Sequence, residues 1–294
     1  MTMSKLKSIE QIISPPAPHM VGDGFRVHNF FPSSRTIGIE RMSPFFLMDY
    51  GSKVEFPPTK TPRGVGVHPH RGFETVTIAY YGKVAHHDSA GNAGVIGEGD
   101  VQWMTAASGV LHKEYHEKKW SENGGLFQMV QLWVNLPAKY KMSSPKYQAL
   151  SRENFGQYQL PENKGVVEVI AGNFNGINGI ASTFTAIEMY NVRVKKTAEI
   201  SFPLPQNYNT GFLVIEGSVL LNDQVVATDH FVLFAHDGTE IHLKANEDSI
   251  VLILSGEPIN EPIVPYGPFL MNTKAEIIQA YEDLNNGKFG FLED

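Results

Sequence analysis

Two pairs of side chains carry the chemistry in this sequence: His68 with His70, and His112 with Glu114. Residues two apart on a β-strand point to the same face, because successive side chains alternate. If the two strands lie opposite each other in a small barrel, three imidazoles and one carboxylate converge inside it. Such a donor set suits a borderline divalent transition metal. A six-coordinate ion would keep two positions open, the arrangement by which non-haem Fe(II) binds a substrate oxygen together with O2. Structural zinc prefers a closed set of four ligands, often thiolates. Fe(II) is the first expectation, and Mn, Ni, Co or Cu would accept the same ligands.

Glu74 and His116 compete for places in that set. Glu74 follows His70 by an even step, which keeps it inward on a continuous strand, and His116 continues the alternation of His112 and Glu114. Either could instead orient a ligand imidazole. His86, His87 and Asp88 are adjacent residues that diverge on a strand, and the turn-rich run to Gly94 behind them argues for an exposed corner. His19, His28 and His230 have no partner pattern and read as structural. The aromatic pairs Phe45-Phe46 and Tyr80-Tyr81, with Trp103 and Trp133, read as barrel filling, since roughly half of a barrel strand faces inward by periodicity alone.

The elements that must position these residues are short strands. Phe25–Phe31, Thr36–Glu40, Pro44–Tyr50, Glu74–Tyr81, Val101–Thr105 and Phe127–Leu136 read as strands divided by turn residues. A loop from Phe56 to Pro62 is expected over the barrel mouth. Upstream, Ile9, Ile12 and Ile13 form an apolar strip ended by Pro15 and Pro16. The pattern changes at Thr273. There Thr273 and Glu276 form a capping box, Ile277, Ile278, Tyr281 and Leu284 follow at helical spacing, and Gly287 is a natural stop. A short C-terminal helix is therefore expected to dock on the barrels.

The chain has 294 residues, 42% hydrophobic and 19% charged, enough for one large or two ordinary globular domains. A net charge of -7 offers no basic surface for neutralising phosphates, so direct nucleic-acid binding is not expected. The absence of cysteine excludes disulfides, thiolate metal sites and cysteine nucleophiles. The N-terminus lacks the apolar core of a signal peptide, and no apolar run reaches the length of a membrane span. A cytoplasmic protein without a membrane partner is expected, and two barrels per chain would suffice as a monomer.

The second half looks like a worn copy of the first. Gly82 and Gly217 each end a strong strand, and Asp100 precedes Gly109 by the same nine residues that separate Asp229 from Gly238. Aligned on Gly82 and Gly217, Pro203 and Pro205 replace His68 and His70 and Asn209 replaces Glu74; aligned on Gly109 and Gly238, Ile241 replaces His112. His242 stands one place later and therefore on the opposite face. The copy should bind no metal. The irregular stretch from Pro137 to about Pro161, with Tyr140, Tyr147 and Tyr158, reads as the connection. Residues 1–137 would form a metal-binding barrel, and residues 138–294 a metal-free barrel plus the helix.

The runs His68–Thr75, Gly99–Ala106, Ser108–Glu114, Gln131–Leu136 and Gly267–Thr273 resemble pirins, two-barrel members of the cupin superfamily. The resemblance implies an all-β fold of two tandem cupin (jelly-roll) barrels with a short C-terminal helix. It implies one iron in the N-terminal barrel, held by residues matching His68, His70, His112 and Glu114, and a C-terminal barrel without metal. The general cupin pattern would take its carboxylate from Glu74, whereas the pirin pattern takes it from Glu114. Ala107 also stands where the second cupin motif usually has proline. Several pirins resemble quercetin 2,3-dioxygenases, which implies cleavage of a flavonol or related polyphenol ring with O2 and release of CO. On that reading Glu114 first, and Glu74 second, would take the proton of the flavonol hydroxyl, with Asp49 and Gln131 on the pocket wall. The resemblance also implies an alternative: an iron-dependent, redox-responsive regulator acting through a protein partner, either as a transcriptional cofactor or as a modulator of a metabolic enzyme. That role needs a basic surface near the metal, for which Lys60, Arg63 and Arg71 are the candidates.

Overall fold

The β-branched and aromatic runs form strands nearly wherever the sequence places them. The computed structural model describes residues 5–32 and 37–293. In chain order its first strands are β1 (Ile9–Ile13), β2 (His19–Val21), β3 (Phe25–Phe31), β4 (Phe45–Phe56), β5 (Gly64–His70) and β6 (Phe73–Tyr81). They are followed by β7 (Val84–Asp88), β8 (Ala93–Ile96), β9 (Val101–Thr105), β10 (Val110–His116), the short helix α1 (Lys118–Asn123), β11 (Gly125–Asn135) and β12 (Lys146–Leu150). The second half contributes β13 (Gly156–Gln159), β14 (Gly165–Ala171), β15 (Asn173–Phe174), β16 (Ile177–Asn178), β17 (Ile187–Val194), β18 (Glu199–Pro203) and β19 (Asn209–Glu216). Then come β20 (Ser218–Leu221), β21 (Gln224–Ala227), β22 (Phe231–Phe234), β23 (Glu240–Ala245), β24 (Ser249–Gly256), β25 (Val264–Tyr266), β26 (Phe269–Met271) and α2 (Lys274–Asn285). Neither helix is long and apolar enough to cross a membrane.

The internal repeat is a repeat of topology. One barrel pairs a seven-stranded sheet, β12-β9-β6-β11-β4-β3-β2, with a four-stranded sheet, β5-β10-β7-β8. The other pairs β1-β22-β19-β24-β17-β14-β13 with β18-β23-β20-β21. Read in order, β9, β6, β11, β4, β3 and β2 correspond to β22, β19, β24, β17, β14 and β13, and the four-stranded sheets correspond strand for strand. Only the outermost strand differs in origin: β12 fills that place in one barrel and β1 in the other.

This exchange moves the domain boundary away from residue 137. The compact units are the N-terminus to Pro15 with Arg41–Pro44 and Glu153–Pro258, and Pro16–Glu40 with Phe45–Arg152 and Ile259–Asp294. β1 pairs with β22, so the apolar strip of Ile9, Ile12 and Ile13 completes the barrel of the second half. β12, within the stretch read as a connection, pairs with β9 of the first barrel. The capping-box helix α2 forms as expected, and its Ile277 and Ala280 pack on Phe269, Met271 and Phe289 within the first barrel's unit. An exposed sheet edge carries unpaired N–H and C=O groups, and any passing segment of suitable pattern can satisfy them. Sequence order does not dictate which segment that is.

Two local readings differ as well. Residues 37–40 form a bend and turn rather than a strand, while Thr36 lies outside the described residues. The loop after Phe56 is tied to α1 by Thr59 N donating to Ser121 O. Phe56 stands opposite Gly125, at the far end of the β4–β11 pair from Leu47 and Trp133, so this loop does not cover the opening described below.

The corner between β5 and β6 decides which side chains share the site. Gly72 sits there with φ +91°, a left-handed conformation that glycine adopts without penalty, and a Cβ would lie 2.1 Å from Leu270 O. Its N–H donates to Ala107 O at 2.8 Å, and the buried Lys141 Nζ donates to its carbonyl at 2.7 Å. The chain leaves the four-stranded sheet and enters the seven-stranded one at this residue, so the in–out alternation restarts. Gly72→Ala should lower stability by at least ~2 kcal/mol through strain and clash. A urea denaturation curve checks this, with the midpoint expected to fall.

Candidate metal centre

Strand register brings the two pairs together. In the β5–β10 ladder His112 stands directly opposite His68, and Val110 opposite His70. The imidazole centroids of His68 and His112 are 4.2 Å apart, those of His70 and His112 4.7 Å, and those of His68 and His70 4.8 Å. One ring nitrogen from each can lie within 4.8 Å of the other two. His68 Nδ1 is 2.8 Å from Gly66 O, and His70 Nδ1 is 3.3 Å from Pro268 O. A carbonyl only accepts, so both Nδ1 atoms carry the proton and both Nε2 atoms keep their lone pairs. His112 Nε2 is buried and has no hydrogen-bond partner. An orphaned buried acceptor costs about 1–3 kcal/mol, and a metal ion would satisfy it. Burial, with neighbouring imidazoles adding to it, holds the pKa of His70 and His112 well below the usual histidine value. These residues are therefore neutral, as ligands must be.

Glu114 lies one alternation further along β10 and is also buried. Thr77 Oγ1 and Gln102 Nε2 donate to its Oε1 at 3.2 and 3.0 Å, and Gln131 Nε2 donates to Oε2 at 2.6 Å. A carboxylate offers about four acceptor positions. Three are taken, leaving roughly one on Oε2 for a metal or a proton. Glu114 groups with His112 and His86 at ligand-like distances, within 4.8 Å.

His86 and Asp88 overturn the reading of an exposed corner. They lie within β7, which pairs with β10, so that Asp88 faces His112 and His86 faces Glu114. Both are buried in the site, and His86 Nδ1 is 3.4 Å from His112 Nδ1. Only His87 diverges, onto the outer face, where Tyr115 OH meets its Nδ1 at 2.8 Å. Tyr147, from the presumed connection, stacks on His86 with centroids 5.0 Å apart, and its hydroxyl points to Gln102 Oε1 at 3.4 Å. Gln102 had no sequence signal beyond strand periodicity, and Tyr147 had none.

Glu74 stands on the other face of its sheet. Thr77 and Gln102 are register partners and both reach Glu114, whereas Glu74 is an odd step from Thr77 and bonds its own register partner, accepting from Thr105 Oγ1 at 2.6 Å. The restart at Gly72 is the reason the even step from His70 misled. Burial raises the Glu74 pKa to about 7, against the Thr105 hydrogen bond, which lowers it. His116 does face inward but lies at the far end of β10. Its Nε2 is 2.8 Å from Gly24 O, and its ring sits among Phe25, Phe56, Trp120 and Phe127. That environment brings its pKa down to about 4, chiefly by burial.

Asp49 and Gln131 share the inward face. The register runs Thr77, Gln131, Asp49, Asn29 across neighbouring strands, and Asn29 Nδ2 donates to Asp49 Oδ1 at 2.7 Å. Burial raises the Asp49 pKa, against the Asn29 hydrogen bond. Leu47, Gln131, Trp133 and His68 remain half-buried although their neighbours on this face are buried, which marks where the barrel opens. Arg71 contributes nothing to a basic surface. It is buried, donating from NH1 to Asp283 Oδ2 at 2.9 Å and from Nε to Ser108 O at 2.6 Å. Lys60 is exposed and Arg63 half-buried. In the other barrel the corresponding ladder sets Phe202 against Ile241, both inside an apolar core, and Ser201 against His242.

Comparison with known proteins gives the family of this fold. The pirin family model matches residues 24–134, and the model of the pirin C-terminal cupin domain matches residues 189–290. A Pseudomonas aeruginosa relative, provisionally named a quercetin 2,3-dioxygenase, is 45% identical over 97% of this chain and 99% of its own. A pirin-like protein of Solanum lycopersicum is 37% identical over 87% of this chain and 86% of its own. A crystal structure of quercetin 2,3-dioxygenase from Acinetobacter baumannii superposes with a TM-score of 0.92 at 45% identity, covering 98% of this chain and all of that one. Two consecutive family models and similarity along nearly the whole length place the chain in the pirin family, with two cupin barrels.

Proposed function

We propose that this protein is a metal-dependent dioxygenase that cleaves a flavonol ring of the quercetin type with O2 and releases CO. One observation carries the reading: the imidazoles of His68, His70 and His112, each with a free Nε2, share a barrel interior with a carboxylate that has one acceptor position left, behind an opening at Leu47, Gln131 and Trp133. His68, His70 and His112, with Glu114, would hold the ion. When bound, Fe(II), or Mn, Ni, Co or Cu, would supply Lewis acidity toward an ionised hydroxyl and one-electron chemistry with O2.

The chain's own groups divide the remaining work. Trp133 stacks on Phe73, with centroids 4.2 Å apart, which gives the opening a rigid aromatic wall for a planar polyphenol. The single acceptor position left on Glu114 can serve a ligand bond or a substrate proton, but not both at once. Asp49 lies beyond Gln131 on the same face, oriented by Asn29 and with its pKa raised by burial. It is the second carboxylate suited to taking a hydroxyl proton, in the place that Glu74 cannot fill. The regulatory reading loses Arg71 to the ion pair with Asp283.

Oxygen uptake with quercetin, measured on Fe(II)-reconstituted protein, tests the proposal. Stoichiometric uptake with CO release is expected, and loss of both in His68→Ala. No uptake from protein shown to carry a full complement of iron would refute it.

The two glutamates should separate cleanly. Glu114→Gln should lower kcat by about 100-fold or more, while Glu74→Gln stays within about threefold of wild type. Glu74 should instead govern pH-dependent stability. Its folded pKa of about 7 lies above the unfolded value of 4.5, so its contribution is complete below the unfolded value and is lost as pH rises through about 7. The loss is on the order of 3 kcal/mol. Thermal melts across this range should show wild type losing stability that Glu74→Gln retains.

A further inference from the structure

We propose that His86 and Asp88 position His112 as a metal ligand through a carboxylate–imidazole–imidazole relay, a role that rests on the three Nε2 atoms holding a metal. His68 and His70 have backbone carbonyls to fix their Nδ1 protons, at Gly66 and Pro268. His112 has none. What faces its Nδ1, at 3.4 Å, is the Nδ1 of His86. Two imidazole nitrogens can meet this way only if one is protonated and the other is not.

Two independent features make His86 Nδ1 the acceptor. Asp88 is surrounded by donors: Ala90 N and Asn92 N on Oδ1 at 3.0 Å each, Asn92 Nδ2 on both oxygens, and His86 Nε2 on Oδ2 at 3.1 Å. A carboxyl group so placed is ionised, and His86 must present Nε2–H to it. Gln102 gives the same answer from the other side. Its Nε2 donates to Glu114, which orients the amide, and lies 3.3 Å from His86 Nδ1, so that nitrogen too must accept. With His86 Nδ1 unprotonated, the proton of His112 stays on Nδ1 and the lone pair of its buried Nε2 is directed to the ion. The stacked ring of Tyr147 holds the His86 plane in place. The effect is that of the acceptor behind many metal-ligating histidines, whose loss typically weakens binding 10- to 100-fold, with a second imidazole inserted.

Co(II) is a suitable probe, added to the apo full-length chain and titrated against a chromophoric chelator while its visible bands are recorded. His86→Phe keeps the ring that stacks on Tyr147 and removes the acceptor, and should weaken Co(II) binding 10- to 100-fold and alter the bands. His86→Gln supplies a carbonyl oxygen to His112 Nδ1 and should bind within about threefold of wild type. In Asp88→Asn the backbone donors hold the amide oxygen, which leaves an N–H facing His86 Nε2. The His86 proton then moves to Nδ1, and binding should fall as in the Phe variant. Apo melting curves identify any variant that fails to fold. Equal binding by wild type and the Phe variant would overturn the relay, as would equal losses in Phe and Gln, which would mean packing alone. Two Co(II) ions per wild-type chain and one per Phe variant would make His86 a ligand and also overturn it. Absence of Co(II) binding by wild type would remove the metal reading itself, and the relay with it.

Discussion

One register contact sustains the site: His68 opposite His112 in the β5–β10 ladder. The side-chain period of a strand is two, so a slip of one residue would send His112 and Glu114 to the outer face together. The ladder is anchored close by. Its register shifts between His112 and Glu114, where β5 carries one residue more than β10, around Gly66 and Val67. A bulge of this kind leaves an extra residue outside the regular ladder. Here the carbonyl of Gly66 is the group that holds the His68 ring. A local break in pairing thus becomes the support for one imidazole of the cluster.

Placing polar groups inside a barrel has an energetic consequence that the second barrel displays by contrast. There Phe202, Phe212, Ile241 and their neighbours form a continuous apolar core. In the first barrel, Thr77, Gln102, Gln131, His86, Asp88 and Glu114 are set between apolar clusters around Phe127 at one end and Phe73 at the other. Buried polar groups are tolerable when every donor meets an acceptor, and this network is built from amides and hydroxyls that donate inward to one carboxylate. Among the clustered imidazoles, His112 keeps a buried acceptor that the protein alone leaves unsatisfied. The repeat therefore separates two tasks that conflict within one core, with one copy stabilised by apolar packing and the other built around chemistry.

The cluster of His68, His70 and His112, the strands that carry it, the capping-box helix and the repeat were all legible from local pattern, because alternation and spacing are local properties. Glu74 was not. Its placement depends on Gly72 ending one strand and starting another, and a glycine in sequence does not announce whether it bends a strand or divides two. His86 and Asp88 were hidden by the turn that follows them, since their burial comes from β10 beside them and from Tyr147 of β12 stacked on His86 rather than from their own neighbours. The segment holding Tyr147 looked like a linker because edge strands need little hydrophobicity. Strand exchange at the barrel edges moved the domain boundary for the same reason: pairing partners distant in sequence, as β1 and β22 are, leave no trace in composition.

The carbonyl that steadies the His70 ring belongs to Pro268, on the last stretch of chain before α2. The nearby Leu270 carbonyl is bridged through Lys141 to the Gly72 corner. During synthesis, then, the histidines emerge long before the residues that complete their surroundings, and β1 must likewise wait for β22. Closing contacts over such separations is slow compared with forming a hairpin. A nascent chain can hold His68, His70, His112 and Glu114 and still lack their ordered arrangement. The ordered cluster becomes a property of the finished polypeptide, and a chain cut short before Pro268 would leave the ribosome with these side chains present but unassembled.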